Sequence, residues 1–154
     1  MARMLLGAKR TMMIANYDYA MLLHFLKQHG WKPAGTAEPI GWGARPGVEL
    51  AKQSKPWNGS LYFVGYGQRV MPDEAAGMAE KLEDLLPGIP EHDTMAAKVG
   101  MIIDMPYHKR IRVPRAGVPV SGYEYFSGEQ RQVVHRFIQF AREGGFAITQ
   151  TRFQ

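Results

Sequence analysis

One segment near the C-terminus carries the start and stop signals of a complete helix, and it constrains the fold more than any other part of the chain. Ser127 and Gln130 stand at capping-box spacing, in which the serine hydroxyl accepts a hydrogen bond from the amide three residues on and the glutamine side chain returns one. Gly144 and Gly145 stop the helix. Between them, apolar residues recur at helical spacing and predict one buried face, formed by Val133, Val134, Phe137, Ile138, Phe140 and Ala141. We predict a helix over residues 128–143.

Two earlier helices are predicted from the same kind of pattern. The first covers residues 16–29, where Asn16 or Asp18 can cap the start and Gly30 stops the helix. Its apolar positions repeat at helical spacing and are Tyr19, Leu22, Leu23 and Leu26. The second opens at Pro72, because proline is preformed for the first helical position. It runs to Leu86 with a buried stripe of Ala75, Met78, Ala79, Leu82, Leu85 and Leu86.

Several β-rich runs predict two hairpins and a closing strand. The first hairpin pairs residues 60–64 with 68–70, and the second pairs residues 99–103 with 109–113. Residues 146–149 add an edge strand. Because no strand-helix-strand spacing repeats along the chain, a parallel sheet is disfavoured. We predict an α+β fold, with an antiparallel sheet of short hairpins packed against about three helices.

The segment 31–59 is predicted to be a long irregular loop, because it combines four prolines with several glycines. Its aromatic residues and their neighbours are expected to anchor the loop to the core, since ordering a loop of this length costs conformational entropy. The alternative is that they line a ligand groove or a partner hot spot. The residues concerned are Trp31, Trp42, Trp57, Tyr62 and Tyr66.

The composition is that of one ordinary soluble domain, predicted to span residues 1–154. Hydrophobic residues make up 45% and charged residues 21% of the 154 positions, which disfavours both disordered and membrane classes. The chain has no cysteine, so disulfides, thiolate metal sites and a cysteine nucleophile are excluded. A reducing, cytoplasmic setting is the default expectation. The apolar run at residues 4–8 is too short for a signal peptide or a membrane span.

Three short motifs together resemble a group of small uncharacterised bacterial proteins. They are the turn Gly30-Trp31-Lys32-Pro33-Ala34-Gly35-Thr36, the strand Gly67-Gln68-Arg69-Val70 and the run Tyr125-Phe126-Ser127-Gly128 that leads to the closing helix. Proteins of this group share a helix that ends in such a turn and a Phe-Ser-Gly helix that closes the chain. The resemblance implies a bacterial protein and brings no activity with it.

Candidate residues for chemistry have ordinary structural explanations. No two of the five histidines have the spacing of a helical metal site, and neighbours in Glu91-His92-Asp93 point in opposite directions on an extended chain. Ser127 is explained by the capping box rather than as a nucleophile. The glycines at 41, 43 and 47 lack the strand and the Gly-Lys-Ser ending of a phosphate loop. We expect no metal, no cofactor and no catalytic residue.

The distribution of charge points to a partner surface. The chain carries a net charge of +5, which favours anionic partners. A basic run at 108–115 places His108, Arg110 and Arg112 on one face of a predicted strand. Arginines and a histidine of the last helix can extend this surface if helix and strand pack together. The predicted partner-binding residues are Tyr107, Arg110, Arg112, Arg115, Arg131, His135 and Arg142.

Three functional hypotheses follow. The first is a non-catalytic protein-interaction module, for example of the immunity or antitoxin kind, that binds an acidic protein partner through this basic surface. The second is a nucleic-acid-binding protein that uses the same surface, for which binding should weaken log-linearly with salt. The third is a small-molecule enzyme whose site has no sequence motif, which would require a pocket that holds a histidine or carboxylate beside a charged partner.

Overall fold

The fold was determined as a computed structural model that describes residues 2–39, 57–94, 101–105, 109–113 and 121–150, with 101–105 and 109–113 described by their backbone. It has the predicted α+β architecture. The strands are β1 (Ala2–Gly7), β2 (Thr11–Ala15), β3 (Tyr66–Val70), β4 (Met101–Met105), β5 (Lys109–Val113) and β6 (Phe146–Gln150). The helices are α1 (Asn16–Gln28), α2 (Pro72–Leu85), α3 (Gly122–Tyr125) and α4 (Arg131–Arg142), with 3-10 turns at Leu86–Gly88 and Gly128–Gln130.

Four strands form the main sheet in the order β2-β1-β6-β3, and every neighbouring pair is antiparallel. In register, Leu5 of β1 lies between Met12 of β2 and Ile148 of β6. The strands β4 and β5 form a separate two-stranded sheet, with Ile103 opposite Ile111. The predicted hairpin of 99–103 with 109–113 is therefore confirmed, with its first strand shifted by two residues.

All three long helices bury their apolar stripes against the same face of the main sheet. The sheet contributes Leu5, Met12, Ile14, Val70, Phe146 and Ile148 to this core. Each predicted stripe is confirmed, except that Leu85 and Leu86 of the α2 stripe are only partly buried. The helices α2 and α4 pack against each other, and α1 lies beside β1 and β2. The core thus occupies one side of the sheet, and the other side faces away from the helices.

The helix starts differ from the predicted capping. Ser127 is fully buried, and its hydroxyl donates to the Glu124 carbonyl at 2.7 Å instead of accepting from Gln130. The serine that caps a helix is Ser121, which accepts from the Glu124 amide at 3.2 Å at the start of α3. The predicted cap of α1 is also wrong, because the residue at the cap position is Ala15, whereas Asn16 and Asp18 lie inside the helix. Gly30 does follow α1 with a φ of 98°, as the stop signal predicts.

Two strand predictions are wrong. Residues 60–64 do not form a strand; instead, the buried Gln68 side chain donates to the carbonyls of Leu61, at 3.2 Å, and Val64. β6 is not an edge strand, because it pairs with both β1 and β3. The hairpin of β1 with β2 was not predicted at all.

The described ends of the 31–59 loop are anchored by aromatic residues, as predicted. The Trp31 ring meets the Tyr62 ring edge-on at 5.3 Å, and Trp57 meets Tyr66 in the same way at 6.3 Å. Trp42 lies outside the described residues. Among the described helices, none has the length and apolar character needed to cross a membrane.

Candidate functional site

Arg131, one of the predicted partner-binding residues, is used within the chain. Its Nε donates to the Ile89 carbonyl at 3.1 Å and its Nη2 donates to the Leu86 carbonyl at 3.2 Å. Its Nη1 lies 3.1 Å from Nε2 of His135, one helical turn along α4. The guanidinium therefore holds the end of α2 and the following 3-10 turn against α4, which is a structural task.

Arg142 also has a partner within the chain. It forms an exposed ion pair with Glu83 of α2. The structure therefore brings Arg131 and His135 together, whereas Arg142 lies about three turns from Arg131 and about two turns from His135. An exposed pair of this kind contributes roughly 1 kcal/mol or less, so Arg142 remains able to exchange partners.

The remaining predicted site residues belong to the basic run. Arg110 and Arg112 lie on β5, where the backbone register sets Arg110 opposite Asp104 and Arg112 opposite Ile102. The backbone of β5 lies beside α1, on the helix side of the fold. Tyr107 and Arg115 lie outside the described residues. The basic run as a partner surface thus stays a prediction.

A polar cluster around Tyr62 and Glu74 holds the Gly-Trp-x-Pro-x-Gly-Thr turn in place. Tyr62 donates its hydroxyl to Glu74 Oε1 at 2.5 Å and accepts from the Gly35 amide at 2.8 Å. Glu74 Oε2 accepts from the Ala34 amide at 2.6 Å. Burial, together with the hydrogen bond to Glu74, raises the pKa of Tyr62. A tyrosine whose proton is held more tightly is a poor proton donor, and the hydrogen bonds of this cluster hold the turn in place.

A second buried tyrosine extends this cluster towards the sheet. Tyr19 is fully buried and donates its hydroxyl to the Tyr62 carbonyl at 2.7 Å. Burial raises the pKa of Tyr19 as well. The guanidinium of Arg3 lies 4.4 Å from the centre of the Phe63 ring, and its Nε donates to the Phe63 carbonyl at 2.7 Å. In the part of the chain that the structure describes, no three histidine or carboxylate side chains converge as a metal site would require.

The main sheet has a second face, turned away from the helices, which we call the outer face. Strand alternation assigns its residues, because buried positions such as Leu5, Met12 and Ile148 point into the core and their neighbours along each strand point outwards. The outer face comprises Ala2, Met4 and Leu6 of β1, Thr11, Met13 and Ala15 of β2, Ala147 and Thr149 of β6, and Tyr66 and Arg69 of β3.

The outer face is apolar and exposed at its β1–β2 half. Leu6 is 40% exposed and Met13 is 43% exposed. They are diagonal neighbours on adjacent strands, because Leu6 pairs with Thr11 and Met4 pairs with Met13. Large apolar side chains exposed side by side mark interaction surfaces more often than isolated ones do.

A single cation lies on the outer face at its other end. Arg69 of β3 is partly exposed, and its Nε is buried and has no hydrogen-bond partner among the described residues. The exposed part of this residue brings positive charge to the outer face. No aspartate or glutamate occurs in β1, β2, β3 or β6. The strands of the outer face thus offer apolar surface and positive charge, and no negative charge.

The sequence does contain a signal for this face. Residues 2–7 and 11–15 flank the turn at Ala8 and Lys9, which is the arrangement of a hairpin. The expected alternation of polar and apolar residues is missing, because Met4, Leu6 and Met13 are as apolar as the core residues between them. Because the outer face is apolar at these positions, β1 and β2 lack the alternation of polar and apolar residues from which strands are predicted.

Comparison with models of protein families, with curated proteins and with solved structures finds no match to this chain.

Proposed function

We propose that the protein is a protein-interaction module whose outer face binds an acidic segment of a partner protein. The observation that carries this proposal is that Leu6 and Met13 are both exposed and are diagonal neighbours on a sheet face whose strands contain no carboxylate. Fully burying a leucine or methionine side chain contributes roughly 1.5–3 kcal/mol, so covering the exposed part of each contributes about 1 kcal/mol. The two side chains supply an apolar centre for such a contact.

Charge supports an acidic partner rather than a neutral one. The whole chain carries +5, and Arg69 lies on the outer face with an unsatisfied Nε. A carboxylate of the partner would pair with the guanidinium of this partly exposed residue, and charge-assisted hydrogen bonds of this kind are roughly twice as strong as neutral ones. The positive charge of the chain would also steer an acidic partner towards it.

The experiment compares capture by the tagged wild-type protein with capture by three variants, from host lysate with and without nuclease. Leu6→Glu places a carboxylate on the apolar centre, and Arg69→Met removes the charge while keeping an apolar stem. Arg136→Met is the matched control, because Arg136 is exposed on α4, on the helix side of the fold. We expect a nuclease-resistant, acidic protein that is retained by wild type and by Arg136→Met, and retained at least tenfold less by the other two variants.

Two results would contradict the proposal. If Arg136→Met loses the partner while Leu6→Glu keeps it, binding uses the helix surface instead of the outer face. If recovery depends on intact nucleic acid and falls log-linearly with salt, the protein binds phosphate backbones. Circular dichroism of each variant shows whether it is folded, so that loss of binding is not confused with loss of structure.

A further inference from the structure

The two edges of the main sheet differ in how well they are protected. At the β3 edge, Ala37 forms a bridge with Arg69 through two backbone hydrogen bonds of 2.9 and 3.1 Å. The same edge is interrupted by a bulge between Tyr66 and Gln68, where Gly67 has a φ of 90°. Bulges and covering segments are the usual devices that stop a sheet edge from pairing with another chain.

At the β2 edge, the described residues form none of these devices. Among the described strands, β2 pairs only with β1. Its residues Thr11–Ala15 include no charge, no proline and no glycine, and its register with β1 has no bulge. A regular, uncharged and apolar edge strand is a ready template for another strand.

The hairpin turn fixes which backbone groups of β2 point outwards. The Gly7 amide donates to the Arg10 carbonyl at 2.9 Å, so Gly7 and Arg10 form a hydrogen-bonded pair. Hydrogen-bonded and non-bonded pairs alternate along an antiparallel ladder. Met12 and Ile14 therefore bond to β1, whereas the N–H and C=O groups of Thr11, Met13 and Ala15 point away from the sheet.

These outward groups are complementary to those of an identical strand. If two copies of β2 pair antiparallel about a two-fold axis at Met13, Met13 faces Met13 of the second copy and Thr11 faces Ala15 in both directions. Each of these outward residues then donates one hydrogen bond and accepts one, so the register uses every outward backbone group of the strand. On the core side Met12 lies opposite Ile14, which are both apolar. No charged residues are brought together within the strands.

We propose that two copies of this chain pair along β2 into a dimer with one continuous eight-stranded sheet. Four large apolar side chains are exposed among the described residues; Leu6 lies on β1 and Met71 follows β3, and the other two support this choice of edge. Met13, at 43% exposure, lies on β2, and Tyr17, at 50%, follows it in the first turn of α1. A two-fold interface uses the same patch on both copies, and this patch is centred on the axis. The inference does not depend on the proposed function, because it uses the outward backbone groups of β2, although the Met13 side chain also lies on the outer face.

The mass of the protein in solution tests the dimer. Sedimentation equilibrium at about 50 μM chain should give twice the chain mass of 17.3 kDa for wild type. Met13→Pro removes an outward N–H at the axis and leaves the bonds between β1 and β2 intact, and it should give the single-chain mass. Met13→Thr keeps the N–H and should remain a dimer. A monomeric wild type, or a folded Met13→Pro that remains a dimer, would overturn the proposal.

Cross-linking tests the register even if Met13→Pro does not fold. The chain has no cysteine, so Met13→Cys introduces a unique thiol. Across the axis the two Cα atoms would lie about 5.5 Å apart, within reach of a disulfide. Leu6→Cys is the control, because β1 is one strand further out and the strands carrying its two thiols would lie about 14 Å apart. Under mild oxidation we expect a covalent dimer from Met13→Cys at least tenfold faster than from Leu6→Cys. Equal rates would refute the register.

Discussion

The Tyr125 hydroxyl donates a hydrogen bond of 2.7 Å to Oδ1 of Asp18 and so joins two residues that lie 107 positions apart in the chain. Asp18 lies in the first turn of α1, and Tyr125 is the last residue of α3. The Gln130 side chain donates to the same Oδ1 atom at 2.8 Å. Tyr125 is fully buried and Asp18 is 9% exposed. These bonds therefore connect the start of α1 to the segment that precedes α4, inside the core.

Tyr125→Phe should therefore destabilise the fold. The change keeps the ring and removes one donor from a buried carboxylate, for which we expect a loss of about 1–3 kcal/mol in the free energy of unfolding. Urea denaturation measures it. Tyr17→Phe, at a residue 50% exposed, is the control and should stay within about 0.5 kcal/mol of wild type. If Tyr125→Phe is as stable as the control, the Asp18 bond does not matter for the fold.

Alkaline pH should destabilise the protein through Tyr19 and Tyr62. Burial raises the pKa of both above the ordinary value of 10.0. Below pH 10 both are protonated in the folded and unfolded states, so their contribution is fully present. Above pH 10 only the unfolded chain loses these protons, and the free energy of unfolding should fall by up to about 1.4 kcal/mol per pH unit for each tyrosine.

Urea denaturation between pH 8 and 11 measures this slope. In Tyr19→Phe the fall above pH 10 should be shallower, although the variant loses some stability at every pH because the bond to the Tyr62 carbonyl is gone. A wild-type stability that stays level up to pH 11 would show that neither tyrosine is held protonated.

Two glycines inside helices should respond to alanine in opposite directions. A Cβ at Gly122 of α3 would lie 2.2 Å from a ring atom of Phe25, which must then move in a packed core. We expect Gly122→Ala to cost about 1–3 kcal/mol. A Cβ at Gly77 of α2 would meet nothing within 4 Å, so Gly77→Ala should stabilise the protein by about 0.5–1 kcal/mol through helix propensity. Opposite shifts in the urea midpoint are the expected result, and shifts of the same sign would count against this packing.

Arg131 should behave as a structural residue. Arg131→Lys cannot reproduce the two bonds from one guanidinium to the Leu86 and Ile89 carbonyls, and it should cost about 1–2 kcal/mol. Arg136→Lys, at an exposed position on the same helix, is the matched control and should be neutral. If the two variants unfold at the same temperature, the Arg131 side chain does not stabilise the fold and is available to a partner.

Local patterns predicted the helices well, because each stripe of apolar residues repeats within one element. The capping serine could not be chosen from the sequence, since Ser121 and Ser127 each precede a glycine and each have a Glu or Gln three residues on. Burial decides between them. Ser127 is enclosed in the core and its hydroxyl is directed to the Glu124 carbonyl, which leaves Ser121 as the cap.

The sheet was harder to predict, because its order is set by contacts that are distant in sequence. β6 follows the last helix and looks like an edge addition, yet it lies between β1 and β3, more than 70 residues away. The run 60–64 has residues typical of strands, but its Leu61 and Val64 carbonyls accept hydrogen bonds from the side-chain amide of Gln68 instead of from a neighbouring strand. The candidate site was not predicted, because Leu6 and Met13 are apolar and cannot be distinguished from core residues in the sequence.

A hydroxyl-radical footprint tests directly whether the outer face binds the partner. The oxidation of individual side chains is measured by mass spectrometry in the free protein and in its complex with the captured partner. Leu6 and Met13 report on the outer face, and His24, exposed on α1 on the helix side of the fold, is the internal reference. We predict that the partner slows oxidation of Leu6 and Met13 at least threefold and leaves His24 unchanged. Unchanged oxidation at Leu6 and Met13, with protection confined to 101–113 or to α4, would contradict the account.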